Sequence, residues 1–562
     1  MTTKSLFTQA HQAQQKGLLP QAIALYDQIL TQEPDHIDAL RFSGLTHAQL
    51  GEMQYAIACF SRALELQPED ANLHHNLANA YKQLKDHDKA IQHYQKALQL
   101  EPDYAQAHNN LAGIYALQNN YHQALKQYRA AVHAQPDFTA AHYNLGLLLL
   151  KHNELAAAKT QFNNVIALQP DHIDAQFYVG ILHLNANELD EAEQAFQNVL
   201  AIREDHAFSL TNLGVIALKR DQGQMAIDYF TKALAFEPDN IEARNNMAAT
   251  FIHHDRYENA LMHYDVLLKQ DPYNAEYLYN SGVAQMALGH LKEAIAHFEA
   301  MLTRDDKHFA ALNNLAAIQI RLGNRAEAIT LLQRAIAANP NDTASQFMLH
   351  ALTGDEQHPK PCQDYVSNLF NNYALYYDQH MQGSLNYTLP YSIMQALYGM
   401  GYAHFKQTID LGCGTGLSGV VLREASEHLT GLDIAAKMIA QAREKAVYDT
   451  LIEAELLSYL EENQQTYDLI VAADVIPYSG DLQPLFTIMK QRLSAKGLFV
   501  FSSEISTDQP WTLQDSARFC HHPDYVHDLC AEHDLELIYE EKIVARQQEH
   551  QDLFVMLYVA KL

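Results

Sequence analysis

The chain has 562 residues, more than one compact core usually holds, so at least two domains are expected. Its formal net charge of −29 disfavours nucleic acid as a partner, because acidic surfaces repel phosphate backbones, and favours basic or neutral partners. No apolar run approaches the ~20 residues of a membrane span, and no signal peptide is apparent. Five scattered cysteines form no C-x-x-C pair, so neither a disulfide framework nor a metal site is expected, and we predict a cytoplasmic protein.

A repeat with a period of 34 residues occupies the first part of the chain. Twelve residues before each proline position of the series lies an alanine, and twenty-four residues before it lies a glycine or alanine. Small residues let two helices cross closely, and proline ends the second helix. This pattern is identified as that of tetratricopeptide repeats, about ten of them over residues 3–342. The prolines are Pro34, Pro68, Pro102, Pro136, Pro170, Pro238, Pro272 and Pro340, with Glu204 and Asp306 at the two remaining positions.

The end of the repeats is marked by one more amphipathic segment, Thr343 to Leu352, which is expected to cap the last apolar face. A polar stretch, residues 354–361, follows and reads as a linker. The sequence therefore predicts a repeat solenoid over residues 1–353 and a second domain over residues 362–562.

Position six of the repeat unit is asparagine in seven of the ten repeats. Carboxamide side chains can donate hydrogen bonds to the backbone of an extended peptide and accept hydrogen bonds from it, whatever the peptide sequence. The row is similar to that of the protein O-linked N-acetylglucosamine transferases, which implies a groove that binds a protein or peptide. Asparagine is also common there in ordinary repeats, so the alternative is a row without a ligand. The residues are Asn76, Asn110, Asn144, Asn212, Asn246, Asn280 and Asn314.

An aromatic stretch with a helical pattern lies between the linker and the next motif. It resembles the lid helices of bacterial methyltransferases that contain tetratricopeptide repeats. These side chains either close over a ligand and exclude water or pack on a sheet. The positions that carry the resemblance are Tyr373, Tyr377, Asp378, His380, Tyr387 and Pro390.

The strongest functional motif is IDLGCGTG at residues 409–416, an apolar strand that runs into three alternating glycines. Glycines let the backbone turn sharply and approach a ligand without a Cβ in the way. A second acid, Asp433, closes the next apolar run and is placed to accept hydrogen bonds from ribose hydroxyls. The motif therefore predicts a nucleoside-containing cofactor.

Two cofactors fit such a loop, since residues 414–419 also satisfy the G-x-G-x-x-G pattern of dinucleotide-binding folds. Asp410, two residues before the first glycine, would repel a pyrophosphate but attract an amino group. No second mononucleotide-binding half follows. These features favour S-adenosylmethionine over NAD.

The segments IDLGCGTG, LTGLDIAAKMI and YDLIVAADVI resemble class I (seven-strand) S-adenosylmethionine-dependent methyltransferases, over residues 362–562. The resemblance implies that Asp410 holds the methionine amine, Asp433 the ribose and Glu455 the adenine amino group. Asp474 would close the pocket beside the reacting methyl. Glu455 departs from the aspartate that is usual in this family. The remaining cofactor positions that the resemblance implies are Gly412, Cys413, Gly414, Gly416 and Ile434.

Beyond the loop, apolar strands alternate with amphipathic helices, which predicts a doubly wound sheet with a final antiparallel strand. The expected strands lie near residues 428–433, 452–454, 467–473, 496–503, 534–542 and 552–560. Ligands of such sheets bind outside the carboxyl ends of the central strands. The fold class predicted for the whole chain is thus an all-α tetratricopeptide superhelix followed by a Rossmann-like α/β methyltransferase domain.

The methyl acceptor is not specified by the motifs. The segment Asp474 to Tyr478 lacks the Asn/Asp-Pro-Pro-Tyr of adenine and glutamine methyltransferases and is one residue too long for the Asp/Glu-x-x-Tyr/Phe of seven-strand lysine methyltransferases. If the acceptor needs a base, the candidates are Asp474, Tyr478, His521 and Tyr525.

Three functions remain open on the sequence. The first is a methyltransferase whose repeats select a protein substrate or partner. The second is a small-molecule methyltransferase, acting on a carboxylate or hydroxyl, whose repeats serve localisation or oligomerisation. The third is a scaffold with a catalytically weak methyltransferase fold. Deletion of residues 1–353 is expected to abolish activity on a protein acceptor and to spare activity on a small one.

Overall fold

The computed structural model describes residues 2–354, 362–548 and 551–562. The chain packs as two compact units, residues 1–263 and residues 264–562. The predicted linker lies within the second unit, and residues 355–361 lie outside the described residues. Among the residues that the structure describes, no helix combines the length and apolar character needed to cross a membrane.

Twenty helices form ten antiparallel pairs, as the 34-residue period predicts, and one more helix follows them. In chain order they are α1 (Thr3–Gln15), α2 (Leu19–Gln32), α3 (Ile37–Gln49), α4 (Met53–Leu66), α5 (Ala71–Gln83), α6 (His87–Leu100), α7 (Ala105–Leu117), α8 (Tyr121–Ala134), α9 (Thr139–Lys151), α10 (Leu155–Leu168), α11 (Ile173–Asn185), α12 (Leu189–Ile202), α13 (Ala207–Lys219), α14 (Gly223–Phe236), α15 (Ile241–His253), α16 (Tyr257–Gln270), α17 (Ala275–Ala287), α18 (Leu291–Leu302), α19 (Phe309–Arg321), α20 (Arg325–Ala338) and α21 (Thr343–Thr353).

The turn inside each pair contains one residue with a positive φ, again at intervals of 34 residues. Glycine, asparagine and aspartate tolerate this left-handed conformation best, and they occupy nine of the ten positions. The residues are Gly17, Gly51, Lys85, Asn119, Asn153, Asn187, Asp221, Asp255, Gly289 and Gly323.

The two helices of a pair meet at the small residues that the sequence singled out. A Cβ built on Gly44 of α3 would lie 2.6 Å from the Phe60 ring of α4, so only glycine fits there without movement. The same close approach recurs in four other repeats, where a glycine again faces a phenylalanine sixteen residues later. Where the small residue is alanine, the residue sixteen positions later is tyrosine or leucine.

The remaining chain forms an α/β sheet domain preceded by the helices of the aromatic stretch. Its helices are α22 (Gln363–Gln379), α23 (Leu389–Gly399), α24 (Leu417–Leu422), α25 (Ala436–Lys445), α26 (Leu456–Glu462), α27 (Gln483–Arg492) and α28 (Pro523–Glu532), with a π-helical turn at His380–Ser384. Its strands are β1 (Phe405–Leu411), β2 (Ser426–Asp433), β3 (Thr450–Glu453), β4 (Tyr467–Ala472), β5 (Leu493–Ile505), β6 (Trp511–Leu513), β7 (Phe519–His521), β8 (Glu536–Gln548) and β9 (Gln551–Lys561).

Strands β3, β2, β1, β4 and β5 lie side by side in that order and are all parallel. β9 pairs antiparallel with β5 and with β8, which confirms the predicted antiparallel final strand. The short strands β6 and β7 form an antiparallel hairpin that joins the end of β5, and the sequence did not predict it. The strand order reverses at β1 and β4, so the ligand crevice is expected at their carboxyl ends.

Apolar side chains fill both faces of the sheet. One face packs on helices α26 to α28 through a core that includes Leu460, Phe486 and Leu529. The other face packs on α23 and α24 through Ile393 and Leu422. Both faces of a parallel sheet are thereby covered, as such sheets require.

The last repeat helix packs on the sheet domain within the second unit. Phe347 of α21 contacts Tyr365 of α22 and Phe519 of β7, with ring centroids 5.2 and 6.2 Å apart. Arg325 of α20 forms an ion pair with Asp515, in the turn between β6 and β7. Helix α21 therefore covers part of the sheet domain as well as the end of the repeats.

Candidate functional site

The glycine loop leaves β1 with three left-handed residues. Gly412, Gly414 and Gly416 have φ values of 64°, 54° and 93°, which side chains rarely adopt. A Cβ on Gly412 would lie 2.3 Å from the Val475 side chain, whereas a Cβ on Gly414 would meet nothing within 4 Å. Gly414 therefore keeps open a space that a ligand can approach.

Asp433 ties the loop to the end of β2. Its Oδ2 accepts a hydrogen bond from the Gly414 amide (2.8 Å), and its Oδ1 accepts one from the Ala435 amide (2.8 Å). Burial raises the pKa of this carboxyl, and the backbone amides oppose that rise. Each oxygen has a second lone pair, so the carboxylate can still accept from two ligand hydroxyls.

Asp410 lies beneath the loop, with 1% of its surface exposed. Its Oδ2 accepts a hydrogen bond from the Tyr448 hydroxyl (2.7 Å), while its Oδ1 is buried without a partner among the described residues. Burial raises the pKa of Asp410 to about 7, and the nearby charge of Asp433 adds to the rise. An unpaired buried acceptor of this kind suits an amino group or a water molecule.

A cavity of about 1000 Å³ opens at the carboxyl ends of these strands. Of the predicted cofactor residues, Gly412, Gly414, Asp433, Ile434, Glu455 and Asp474 line it. Asp410, Cys413 and Gly416 do not line the cavity. Burial raises the pKa of the Cys413 thiol far above its usual range, and a Cβ on Gly416 would lie 3.2 Å from Tyr448. These three residues shape the loop from below.

Glu455 reaches the cavity at the first turn of α26. Its Oε1 accepts from the Leu457 amide (3.1 Å), and its Oε2 accepts from the amide and hydroxyl of Ser458 (2.7 and 2.8 Å). Glu455 thus caps this helix, so its predicted contact with adenine would use the lone pair that Oε1 retains.

Helix α22, the predicted lid, is fastened to the glycine loop by Asp378. This carboxylate accepts a hydrogen bond from the Thr415 hydroxyl and forms an ion pair with Lys445 (2.6 Å). Lys445 also donates to the Thr415 carbonyl (2.6 Å). Phe370 and Tyr377 of the same helix pack near Ala435 and Met438 and line the cavity, so the lid aromatics serve packing and enclosure at once.

Asp474 follows the carboxyl end of β4 and lines the cavity. Its Oδ1 accepts from Arg518 and its Oδ2 from Arg546, each at 2.5 Å. Burial acts to raise its pKa, but the two guanidinium groups outweigh it and hold the pKa below the ordinary value. Asp474 is therefore a poor general base, and it anchors two arginines beside the cavity.

Tyr478 also lines the cavity. Its hydroxyl accepts a hydrogen bond from Arg518 (2.7 Å), and its ring packs edge-on against Phe370. Burial raises the pKa of the Tyr478 hydroxyl, although Arg518 opposes the rise. The hydroxyl stays protonated near neutral pH and can donate to a bound acceptor.

His521 is not brought to the cavity. Its Nε2 bonds the Gly480 carbonyl and its Nδ1 the Ser503 hydroxyl, both at 2.8 Å, and burial lowers its pKa to about 4. The hydroxyl of Tyr525, the further base candidate, donates to Asp481 (2.8 Å) and accepts from the Leu482 amide (2.9 Å). Both side chains have their polar atoms engaged in holding loops.

Sequence reasoning missed the arginines of the site. Arg518 and Arg546 have side chains only 11% and 9% exposed, and both line the cavity with Arg321 of α19. Glu504 forms an ion pair with Arg518 (2.6 Å). The sequence offers little signal for them, since Arg546 lies in a strand that also holds glutamates, a lysine and glutamines.

The asparagine row has mixed surroundings. Asn110, Asn144, Asn212 and Asn280 donate within the chain, to Asn79, Asn109, the Phe208 carbonyl and Tyr264 respectively. Asn76 and Asn246 make no side-chain hydrogen bond to the described residues. Peptide binding by the row stays a prediction.

Comparison with known families matches both parts of the chain. A methyltransferase domain model matches residues 405–554. Tetratricopeptide repeat models match several segments, among them residues 71–104, 143–207 and 285–352.

Curated relatives match a fraction of the chain, between 16% and 19% of its length. The chain is 28% identical over 109 residues to trans-aconitate 2-methyltransferase of Rhizobium etli, covering 19% of this chain and 42% of that protein. It is 34% identical over 91 residues to the enzyme of the same name from Escherichia coli, covering 16% and 35%. A ubiquinone biosynthesis O-methyltransferase of Photorhabdus laumondii is 23% identical over 112 residues, covering 19% and 47%. The chain thus spans less than half the length of these relatives.

Among solved structures, the repeat protein YrrB matches with 27% identity and a TM-score of 0.31, covering 33% of this chain and 95% of that one. PilF of Pseudomonas aeruginosa matches with 24% identity and a TM-score of 0.34, covering 38% and 97%. Together, the family matches, the ten helical pairs and the glycine loop at the end of β1 identify this chain as an array of tetratricopeptide repeats followed by a methyltransferase domain.

Proposed function

We propose that the protein transfers a methyl group from S-adenosylmethionine and that its repeats bind a protein substrate or partner. One observation carries the cofactor assignment: Asp433 holds the left-handed glycine loop at the rim of a cavity of about 1000 Å³. A cavity of this size is within the range of small-molecule and cofactor sites.

The residues present fit this cofactor. The Asp433 carboxylate retains lone pairs for ribose hydroxyls, Gly414 leaves open space, and the unpaired Oδ1 of Asp410 suits an amine held through water. When bound, S-adenosylmethionine supplies a methyl group on a sulfonium, which is already activated for displacement.

The protein's own contribution is alignment and exclusion of water. Asp378 holds α22 against the glycine loop, so Phe370 and Tyr377 enclose the cavity. Asp474 fixes Arg518 and Arg546 at the acceptor end, and Tyr478 can donate a hydrogen bond there. A dedicated base is not required for an acceptor that is already nucleophilic.

A radiolabel experiment tests the acceptor class. Full-length protein is incubated with methyl-labelled S-adenosylmethionine and a cell extract, and label is counted separately in macromolecules and small molecules. Label in macromolecules that falls in an Asn76→Ala, Asn246→Ala variant supports the leading proposal. An Asn198→Ala variant, in the second helix of its pair, is the control. Label confined to small molecules contradicts protein recruitment.

A small-molecule methyltransferase is the second candidate. It is favoured by the relatives, whose names describe enzymes of trans-aconitate and of ubiquinone biosynthesis. Under this alternative the repeats serve localisation or oligomerisation, and the groove variant leaves activity unchanged. A scaffold with weak catalysis predicts no label in either fraction.

A further inference from the structure

The wall of the cavity carries guanidinium groups from three separate elements. Arg321 comes from α19 of the tenth repeat, Arg518 precedes β7, and Arg546 lies in β8. We infer that the methyl acceptor is a carboxylate, bound by these arginines, so that the last repeat contributes to acceptor recognition. The inference rests on the proposed function.

The two buried arginines, Arg518 and Arg546, have N–H groups that make no hydrogen bond to the described residues. Arg546 gives one hydrogen bond, from Nη1 to Asp474, and its Nη2 lies 3.6 Å from Glu504, beyond hydrogen-bond distance. Arg518 uses each of its three nitrogens once, on Glu504, Tyr478 and Asp474. A guanidinium has five N–H donors, so both groups can still donate to an anion in the cavity.

Arg321 supplies the unbalanced charge of the group. Within the described residues it forms no ion pair, whereas Arg518 and Arg546 are offset by Asp474 and Glu504. Its side chain is exposed at the wall of the cavity. An arginine without an ion pair at this place can donate two hydrogen bonds to the two oxygens of a carboxylate, in a bidentate contact.

An amine acceptor fits this cavity wall less well. An ammonium or a lysine amine needs a carboxylate that is not already paired, and both oxygens of Asp474 accept from arginine. Asp481 also lines the cavity and forms no ion pair within the described residues, but its Oδ1 accepts from the Tyr525 hydroxyl and the Gln483 amide. It therefore offers an amine one carboxylate oxygen, beside three guanidinium groups. The Tyr373 hydroxyl is engaged with His380.

Carboxylate methylation also needs no general base, because a carboxylate is already deprotonated near neutral pH. A carboxylate oxygen supplies the electron pair: an O–C bond forms to the methyl carbon, and the C–S bond breaks with its pair left on sulfur. The products are a methyl ester and a neutral thioether, and no proton is released. Arginine contacts would place the acceptor without needing to lower its pKa.

Calorimetric titration of four probes into full-length protein saturated with S-adenosylhomocysteine tests the inference. The probes are trans-aconitate, its neutral trimethyl ester, a glutamate-containing peptide and N-acetyl-lysine amide. We expect binding of a carboxylate probe and none of the ester or amine. Binding by trans-aconitate alone indicates a free acid as the source, and binding by the peptide indicates a protein side chain.

Variants of Arg321 test whether the tenth repeat contacts the carboxylate probe. Arg321→Gln should lower the affinity for the carboxylate probe at least tenfold without changing the affinity for S-adenosylhomocysteine. Arg321→Lys should retain part of the affinity for the carboxylate probe. Arg334→Gln, which removes the same charge from α20 away from the cavity, is the control. Cofactor binding without any carboxylate binding, or preference for the amine, overturns the inference alone. Absence of cofactor binding overturns the proposed function instead.

Discussion

At the scale of single residues, alanine substitutions at two glycines of the loop should have different effects, one mainly on stability and the other mainly on ligand binding. Gly412→Ala should destabilise the protein by about 3 kcal/mol, because it adds a steric clash to a left-handed φ. The clash is with Val475, 2.3 Å from the new Cβ. Gly414→Ala should lower the free energy of unfolding by about 1 kcal/mol, because only the left-handed φ opposes the new side chain. It should nevertheless abolish cofactor binding, since the added methyl group enters open space at the cavity. Chemical denaturation and cofactor titration of both variants check this pair, and equal stability losses would contradict it.

Asp410 should make the stability of the ligand-free protein depend on pH. Its pKa is raised to about 7 in the folded protein, against about 4 in an unfolded chain, so the folded state keeps a proton that the unfolded state has lost. Stability from this group is therefore full below pH ~4 and is lost as pH rises to ~7. Asp410→Asn should raise the melting temperature at pH 8 and leave it nearly unchanged at pH 4. A uniform shift at both values would argue against the buried-acid account.

The sequence predicted that the loop glycines and Asp433 lie together, because their spacing follows from the strand-loop geometry, and Asp433 accepts from the Gly414 amide. Their contact with a cofactor stays a prediction. The sequence could not predict that Asp474 would be paired by Arg518 and Arg546, since these residues meet only after β4, β7 and β8 assemble. His521 was a candidate base on its local motif alone, and its surroundings come from distant Gly480 and Ser503.

At the scale of the helical pair, close packing of glycine on phenylalanine should be measurable. Gly44→Ala should lower the free energy of unfolding by about 1–2 kcal/mol. The energy of the steric clash with Phe60 should exceed the free energy that the higher helix propensity of alanine contributes. Adding Phe60→Leu should recover part of that loss, because the tenth repeat pairs Ala316 with Leu332. Gly113→Ala is the control, for its Cβ would lie 3.7 Å from the Tyr128 hydroxyl, and it should be neutral or stabilising. Strict additivity of Gly44→Ala and Phe60→Leu would contradict direct contact.

The lid helix gives a second test at the element scale. Asp378→Asn removes the ion pair with Lys445 and weakens the bond from Thr415, so α22 should exchange amide hydrogens faster and cofactor affinity should fall several-fold. Asp364→Asn, on the same helix but bonded to Thr343 of α21, is the matched control. Unchanged exchange in the Asp378 variant would mean that the lid is held by its aromatic packing alone.

Element type and order were largely readable from the sequence. The 34-residue period specified the helical pairs, and alternation of apolar runs located the main strands within a few residues. The β6–β7 hairpin escaped prediction because each strand has three residues, too few to show a period. Its stability comes from packing, in which Phe519 contacts Phe347 and Trp511.

At the scale of the whole molecule, the last repeat helix and the sheet domain share a buried cluster, so we expect their stabilities to be coupled. Phe347→Ala should destabilise the second unit by about 3 kcal/mol, because a buried ring shared with Tyr365 and Phe519 is lost. Calorimetric unfolding should show the shift in the transition that cofactor binding also moves. A shift in a transition insensitive to cofactor would contradict the coupling.

Deletion of residues 1–353 is consequently not a clean test of protein recruitment. It removes Arg321 from the cavity wall and Phe347 from the packing of β7, so activity on a small acceptor is expected to fall as well. Point variants in the groove avoid this loss. The boundary predicted at residues 354–361 remains a prediction.

The glycine loop and Asp433 are proposed to bind S-adenosylmethionine. Calorimetric titration of this cofactor into the wild-type chain and Asp433→Ala tests this proposal most directly, with Asp508→Ala, at an exposed site away from the cavity, as the control. We predict micromolar binding to wild type and to the control, and a loss of at least tenfold in Asp433→Ala. Equal binding by all three proteins would contradict the site, and no binding to wild type would contradict the cofactor and make NAD the next ligand to titrate.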